Sequence, residues 1–174
     1  MVTNAAREET LPRAPRSFVR LATRAALLAF SAITACGDGA TAPGDASYVA
    51  LLSGANEIPP RSTAGSGTAR FDVRAGVATY QVVVANLSAP ATLVHLVIGA
   101  KDAVGAVIAN LPVSAPSGTI ATGTIDLRGS ITFNNTTISG DSLRTVLENR
   151  NAYVNVYTAT YPAGEVRGQL TRVP

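Results

Sequence analysis

Residues 152–171, AYVNVYTATYPAGEVRGQLT, contain the clearest strand signals in the chain. Polar residues occupy every second position of Glu165 to Thr171, and the apolar Val166 and Leu170 lie between them. A period of two is typical of a β-strand with one buried face. Ala152 to Thr158 is interpreted as a second strand, and the Pro- and Gly-containing residues 159–164 as the loop between the two.

The same period recurs towards the N-terminus. In Thr68 to Arg74 the apolar Ala69, Phe71 and Val73 alternate with polar residues, which indicates another half-buried strand. About eight strands are predicted in all. The others are Tyr48 to Ser53, Val77 to Leu87, Ala91 to Ile98, Val104 to Leu111 and Thr119 to Leu127, with a short addition at Ser130 to Phe133 and a polar loop at Asn134 to Thr137.

One segment has helical spacing. Leu143, Val146 and Leu147 fall on one side of a helix of about two turns, and Asp141 is predicted to cap its N-terminus. Strands at intervals of roughly 8 to 12 residues, separated by turn residues, describe an antiparallel β-sandwich or small barrel. The predicted fold class is therefore all-β with one short helix.

The N-terminal region has the features of an export signal. Residues 1–35 contain five arginines and two glutamates, which accounts for the whole net charge of +3. The apolar run Ala25 to Ala35 is too short to span a membrane, which takes about 20 residues. A basic region, an apolar stretch and small residues before a cleavage point predict a signal peptide over residues 1–35.

Cys36 follows this stretch and is the single cysteine of the chain. The sequence Ile33-Thr34-Ala35-Cys36 resembles the lipobox of bacterial lipoproteins, which implies lipidation of Cys36 and attachment to a membrane. The alternative is an ordinary secreted protein whose cysteine lies at the cleavage point by chance. Residues 36–46 are Gly- and Pro-rich and are interpreted as a flexible tether to a domain at 47–174. In some bacteria, an Asp directly after the lipidated cysteine marks retention in the inner membrane. Gly37 occupies that position here, which favours placement in the outer membrane or at the cell surface.

Several function classes find no support in the composition. From residue 36 onward the chain is formally neutral and it has no Trp, so nucleic-acid binding is not expected. The chain has one histidine, His95, whereas a catalytic copper or zinc site needs several such ligands. No serine lies in a Gly-x-Ser-x-Gly sequence, so the signature of a serine hydrolase is absent as well. We therefore predict a protein that is not an enzyme and has no cofactor.

Three patches together resemble the CHRD domain, named for chordin. They are Leu52 to Pro60, LSGANEIPP; Leu87 to Gly99; and Tyr153 to Leu170, which includes YVNVYT and GEVRGQL. The resemblance implies an immunoglobulin-like β-sandwich or barrel, distantly similar to copper/zinc superoxide dismutases. The family commonly shows a His-x-His pair in the middle patch and a histidine in the third. Here these read His95-Leu96-Val97 and Tyr157, which leaves a degenerate dismutase-like metal protein or enzyme centred on His95 as the alternative.

The sharpest motif residues are Glu57, Asn155, Glu165 and Arg167, which we assign to one structural or ligand-contact motif. Arg167 is predicted to pair with Glu57 or Glu165 and with backbone carbonyls, so that the first loop is pinned to the last strand. The leading hypothesis is a lipid-anchored envelope protein with a binding or structural module. Loops 100–104 and 159–164 would contact another envelope protein or a surface polymer. The oligomeric state is left open.

Overall fold

The computed structural model describes residues 44–174. The predicted signal peptide, Cys36 and most of the predicted tether lie outside these residues, so the predictions made for them stay predictions. Within the described part of the chain, no helix has both the length and the apolar character that a membrane crossing requires.

The described chain is built of short strands with one α-helix. The strands are β1 (Ala46–Ser53), β2 (Ser66–Arg74), β3 (Val77–Ala85), β4 (Ala91–Ile98), β5 (Ala106–Asn110), β6 (Gly118–Asp126), β7 (Ser130–Phe133), β8 (Thr136–Ser139), β9 (Ala152–Thr158), β10 (Val166–Gln169) and β11 (Thr171–Val173). A 3-10 turn, Gly54–Asn56, follows β1, and the helix α1 spans Gly140–Glu148.

Nine strands form one antiparallel sheet in the order β5-β4-β9-β10-β1-β2-β3-β6, with β11 also paired to β1. The sheet curls into a half-barrel, and β7 and β8 form a separate hairpin. The predicted fold class, antiparallel all-β with one short helix, is confirmed.

The core lies on the inner side of the curl. Alternate residues of each long strand point there, as in β1, where Tyr48, Ala50 and Leu52 are buried. The rings of Phe71 and Tyr80, opposite each other on β2 and β3, stack with centroids 5.7 Å apart. Apolar residues from both ends of the sheet join the same cluster, so one continuous core stabilises the half-barrel.

Two local predictions near the helix are wrong. Residues 134–137 are not simply a polar loop, because Thr136 begins β8 and only the two asparagines form the turn of the β7–β8 hairpin. The strand was missed because its threonines read as polar, although Ile138 lies opposite Ile131 and packs against the core. The N-cap of α1 is Ser139, whose Oγ accepts from the Ser142 amide, rather than Asp141 in the first turn.

The outer face of β10 also departs from expectation. The alternation of polar and apolar residues predicted that the polar side of this strand is exposed. However, Glu165, just before β10, is fully buried and Arg167 is 2% exposed. Arg167 lies opposite Asn155 of β9 and Ser53 of β1, and Asn155 lies opposite His95 of β4. A row of polar side chains therefore crosses the outer face of four adjacent strands, where loops cover it.

Candidate binding site

The covered row is bordered by three loops, which follow β1, β4 and β9. Arg167 anchors the β4–β5 loop, because its Nη2 donates to the carbonyl oxygens of Ala100, Lys101 and Ala103 at 2.9, 3.0 and 2.9 Å. Its guanidinium carbon lies 3.5 Å from the centroid of the Tyr153 ring, a cation–π contact. The charge of Arg167 is thus held by carbonyl dipoles and an aromatic face.

The ion pair predicted for Arg167 is not formed. Among the described residues, neither Glu57 nor Glu165 lies within 4.0 Å of its guanidinium nitrogens, whereas the predicted bonds to backbone carbonyls are present. The first loop is joined to β10 by another residue, Asn56, whose Nδ2 donates to the Arg167 carbonyl at 3.1 Å. The carbonyl oxygens at the end of the β4–β5 loop offer the Arg167 guanidinium more acceptors than one carboxylate could offer.

Glu165 is a fully buried carboxylate with several donors. Oε1 accepts from Thr63 Oγ1 at 2.6 Å and from the Ser88 amide at 2.8 Å. Oε2 accepts from Ser88 Oγ at 2.8 Å and from Thr158 Oγ1 at 2.7 Å. Burial alone would raise the pKa of Glu165, but these hydrogen bonds outweigh it and the net pKa lies below the ordinary value of 4.5. Glu165 therefore ties three chain segments together as an anion.

Glu57 is also buried, but its carboxylate has fewer hydrogen-bond partners than that of Glu165. It is 5% exposed, and its Oε1 has no hydrogen-bond partner in the described chain. The Oδ1 of Asn155, which is 6% exposed, has none there either. Burial raises the pKa of Glu57 to about 7, although the charge of Arg167 opposes the rise. Two buried acceptor oxygens therefore lack a well-aligned donor, although the Asn155 side chain lies close enough to Glu57 to lower its pKa.

The backbone of Gly164 packs closely against Glu57 and Asn155. Its φ is +118°, a conformation that side chains rarely adopt, and a methyl group there would lie 2.7 Å from Glu57 Oε1. The same methyl group would lie 2.8 Å from Asn155 Oδ1. A glycine at this position therefore lets the β9–β10 loop approach the polar pair closely.

These residues line a cavity of about 190 Å³, here called the Glu57 cavity. Its walls combine the polar pair with apolar side chains from β4, β5 and the loops. Tyr157 lies in the wall, and burial raises the pKa of its hydroxyl to about 12, so the hydroxyl stays protonated. The full lining is Glu57, Ile58, Val97, Val104, Gly105, Val107, Tyr153, Asn155, Tyr157, Ala163 and Arg167.

The rim of the Glu57 cavity is held in place by side chains. Tyr153 Oη accepts from the Gly105 amide at 3.1 Å, which fixes the end of the β4–β5 loop. Tyr161 Oη donates to the Ser62 carbonyl at 3.1 Å and so joins the β9–β10 loop to the first loop. The cavity is therefore largely preformed.

A family model for the CHRD domain matches residues 48–170, which is most of the described chain. The chain belongs to the CHRD domain family. No curated protein and no solved structure shows a significant match to the chain. Membership supports a binding or structural module of a non-enzymatic kind in general.

The CHRD domain of this chain does not fit a copper or zinc site. His95, Val97 and Tyr157, which stand in the histidine-bearing patches, lie on the same face of β4 and β9. His95 contacts the Tyr157 ring at 5.0 Å and the Phe133 ring at 5.8 Å between centroids, and its Nδ1 has no partner in the described chain. Burial lowers its pKa. Among residues 44–174 no three His, Cys, Asp or Glu side chains converge, so one imidazole among aromatic rings is the whole ligand set.

All four motif residues lie at this end of the domain, but they do not form one contact set. Glu57, Asn155 and Arg167 line the Glu57 cavity, whereas Glu165 lies in its own network. Tyr153, which holds both Arg167 and the β4–β5 loop, was not predicted as a site residue from the sequence. The sequence did contain a signal for Tyr153, because Tyr153, Asn155 and Tyr157 occupy alternate positions of one strand and so lie on the same face.

Proposed function

We propose that this protein is a lipid-anchored protein of the bacterial cell envelope, whose CHRD domain is a non-catalytic binding module. Cys36 would carry the lipid, and the domain would bind an envelope protein or a surface polymer at the end that contains the Glu57 cavity. The observation that carries the binding role is the pair of buried acceptors, Glu57 Oε1 and Asn155 Oδ1, inside a cavity that opens between loops.

The chemistry of the cavity favours binding over catalysis. A nucleophile needs an adjacent base held by a third group, and His95 contacts aromatic rings instead of a carboxylate. The alternative function centred on His95, a degenerate metal protein or enzyme, has no supporting observation among the described residues. Orphaned acceptors on a rigid wall instead call for a ligand that brings donors.

The membrane part of the proposal is tested by metabolic labelling. Cells that express the full chain are grown with a radiolabelled or alkyne-tagged fatty acid. We expect label on the wild-type protein and none on the Cys36→Ser variant. Unlabelled wild-type protein recovered in the culture medium would contradict the anchor and support ordinary secretion.

The binding part is tested by photo-crosslinking in intact cells. A photoreactive amino acid is placed at Ala163, on the cavity rim, and in a matched control at Thr122, an exposed position on β6. We expect a reproducible crosslinked species from position 163 only. Equal products from both positions, or none from either, would contradict a binding role for this end of the domain.

A further inference from the structure

The buried polar atoms of the Glu57 cavity that lack a partner in the described chain are both acceptors. Glu57 Oε1 and Asn155 Oδ1 lack partners in the described chain, and the Tyr157 hydroxyl oxygen in the same wall can also accept. Arg167 lines the same cavity, but its Nη2 donates to three loop carbonyls and its guanidinium lies over the Tyr153 ring. The polar part of the cavity therefore matches a ligand group with several N–H donors.

The remaining walls are apolar. Val97 and Val107 come from β4 and β5, and Val104, which is 77% exposed, stands at the opening. A volume of about 190 Å³ exceeds the roughly 30 Å³ that one water molecule takes in the liquid. The volume and the apolar walls suit a short chain of methylene groups that ends in the polar group.

A divalent metal ion fits this site less well. Calcium takes six to eight oxygen ligands, and zinc takes several nitrogen or sulphur ligands. The cavity offers a single carboxylate, and no group of three acidic, His or Cys side chains converges anywhere in residues 44–174. An ammonium group needs only three acceptors and carries a single charge.

We propose that the Glu57 cavity binds a primary alkylammonium group, such as the side chain of a lysine. The ammonium donates to Glu57 Oε1 and Asn155 Oδ1, and its methylene stem lies along Val97, Val104 and Val107. This inference rests on the proposed binding function and names the chemical group that the partner would present.

The electrostatics at Glu57 make this binding depend on pH. Burial raises the pKa of Glu57 to about 7 against the opposing effects of Arg167 of β10, the Ile58 amide and Arg61 of the first loop, and Asn155 of β9. In the described chain, the Tyr157 hydroxyl of β9, which stays protonated, is the other titratable group that interacts with Glu57. An ammonium group beside Oε1 favours the anion, while a lysine stays charged up to about pH 10. Binding is therefore tighter at pH 8 than at pH 5.5.

The direct test is calorimetric titration of the full-length chain in detergent at pH 8. The probe is Nα-acetyl-lysine methylamide, and its Nε-acetylated counterpart serves as the uncharged control ligand. We expect saturable binding of the first and none of the second. Absence of saturable binding of the charged probe, or equal binding of both, overturns the proposal.

Two variants locate the bound ammonium. Glu57→Gln is expected to weaken binding by at least about tenfold, because a charge-assisted hydrogen bond is lost. Asp102→Asn removes an exposed carboxylate from the neighbouring β4–β5 loop and is expected to leave the affinity unchanged. Retained binding in Glu57→Gln, or equal losses in both variants, overturns the assignment.

A further variant covers the case in which Glu57→Gln does not fold. Ala163 is exposed at the cavity mouth, so Ala163→Trp obstructs entry without changing any of the three proposed acceptors. Lost binding with an unchanged melting temperature supports the cavity as the site, and retained binding overturns it.

The source of the amine is decided by a second ligand, 1,4-diaminobutane. Tighter binding of the lysine derivative assigns the group to a protein, and tighter binding of the diamine assigns it to a small free amine. A crosslinked partner that is still captured by Glu57→Gln, together with no amine binding, would leave the binding module standing and overturn this inference alone.

Discussion

Glu57 and Glu165 are both buried glutamates at the same end of the domain, yet their surroundings have opposite effects. Four hydrogen bonds from Thr63, Ser88 and Thr158 hold Glu165 as an anion with a lowered pKa. Glu57 has an oxygen without a partner, and burial raises its pKa to about 7. Burial alone therefore does not define the role of a carboxylate, since the donors around it do.

The contrast extends to what each group connects. Glu165 joins the loop after β1, the loop after β3 and the end of β9. Glu57 lines the Glu57 cavity, and its Oε1 joins no other segment of the described chain. The first arrangement stabilises the scaffold around the site, and the second is the part of the site that a ligand can complete.

Glu165→Ala should have the largest effect on stability, and it tests the structural role of Glu165. The change leaves the donors from Thr63, Ser88 and Thr158 buried without their acceptor, so we expect a loss of roughly 3 to 5 kcal/mol in the free energy of unfolding. Urea denaturation measures it, and Glu148→Ala, at an exposed helix position, is the matched control. A loss below about 1 kcal/mol would remove the distinction between the two glutamates.

Arg167→Lys tests whether the scaffold role needs the planar guanidinium. A lysine keeps the charge but cannot reproduce both the flat contact with Tyr153 and the three carbonyl bonds, so we expect a loss of about 2 kcal/mol. Hydrogen exchange should show the β4–β5 loop opening more readily. Arg70→Lys, on the exposed face of β2, is the control, and equal effects would contradict the role of Arg167.

Glu57→Gln should have a small effect of the opposite sign. An amide removes a buried charge and brings an N–H donor towards Asn155, so at pH 8 the free energy of unfolding should stay within about 1 kcal/mol of wild type or rise slightly. The experiment is denaturation in parallel with Glu165→Gln, which should be destabilised. Similar losses in both variants would show that Glu57 is structural.

The pH dependence of stability sharpens the same contrast. Between 4.5 and about 7, unfolded Glu57 loses its proton before folded Glu57 does, so its contribution to stability falls as pH rises through this range. Glu165 has the reverse sign, because its folded pKa is lowered and its contribution is lost as pH falls below 4.5. The pKa of His95 is lowered by burial, so its contribution to stability rises with pH up to 6.5 and is common to wild type and Glu57→Gln. Between pH 4.5 and about 7, the melting temperature of wild type should therefore decline relative to that of Glu57→Gln. A difference between the two that does not change with pH would contradict the raised pKa of Glu57.

The sequence predicted most strands, because the period of two survives wherever one face meets the core. It failed at β8, whose threonines mask a partly buried isoleucine, and at the N-cap of α1, where a serine lies just before the first helical residue. It also brought Glu57, Asn155 and Arg167 into one motif. It could not give the partner of Arg167, since three carbonyls of a loop 64 to 67 residues away leave no trace in residue identity.

His95 gives this molecule a built-in spectroscopic probe. It is the one histidine of the chain, it lies opposite Asn155 in the β4–β9 register, and it is flanked by the rings of Tyr157 and Phe133. A unique imidazole contributes one isolated pair of carbon-bound proton resonances, shifted by the ring currents of its two neighbours. Any displacement of Tyr157 in the cavity wall, or of the β7–β8 hairpin, should be visible in that pair of resonances without attaching a label.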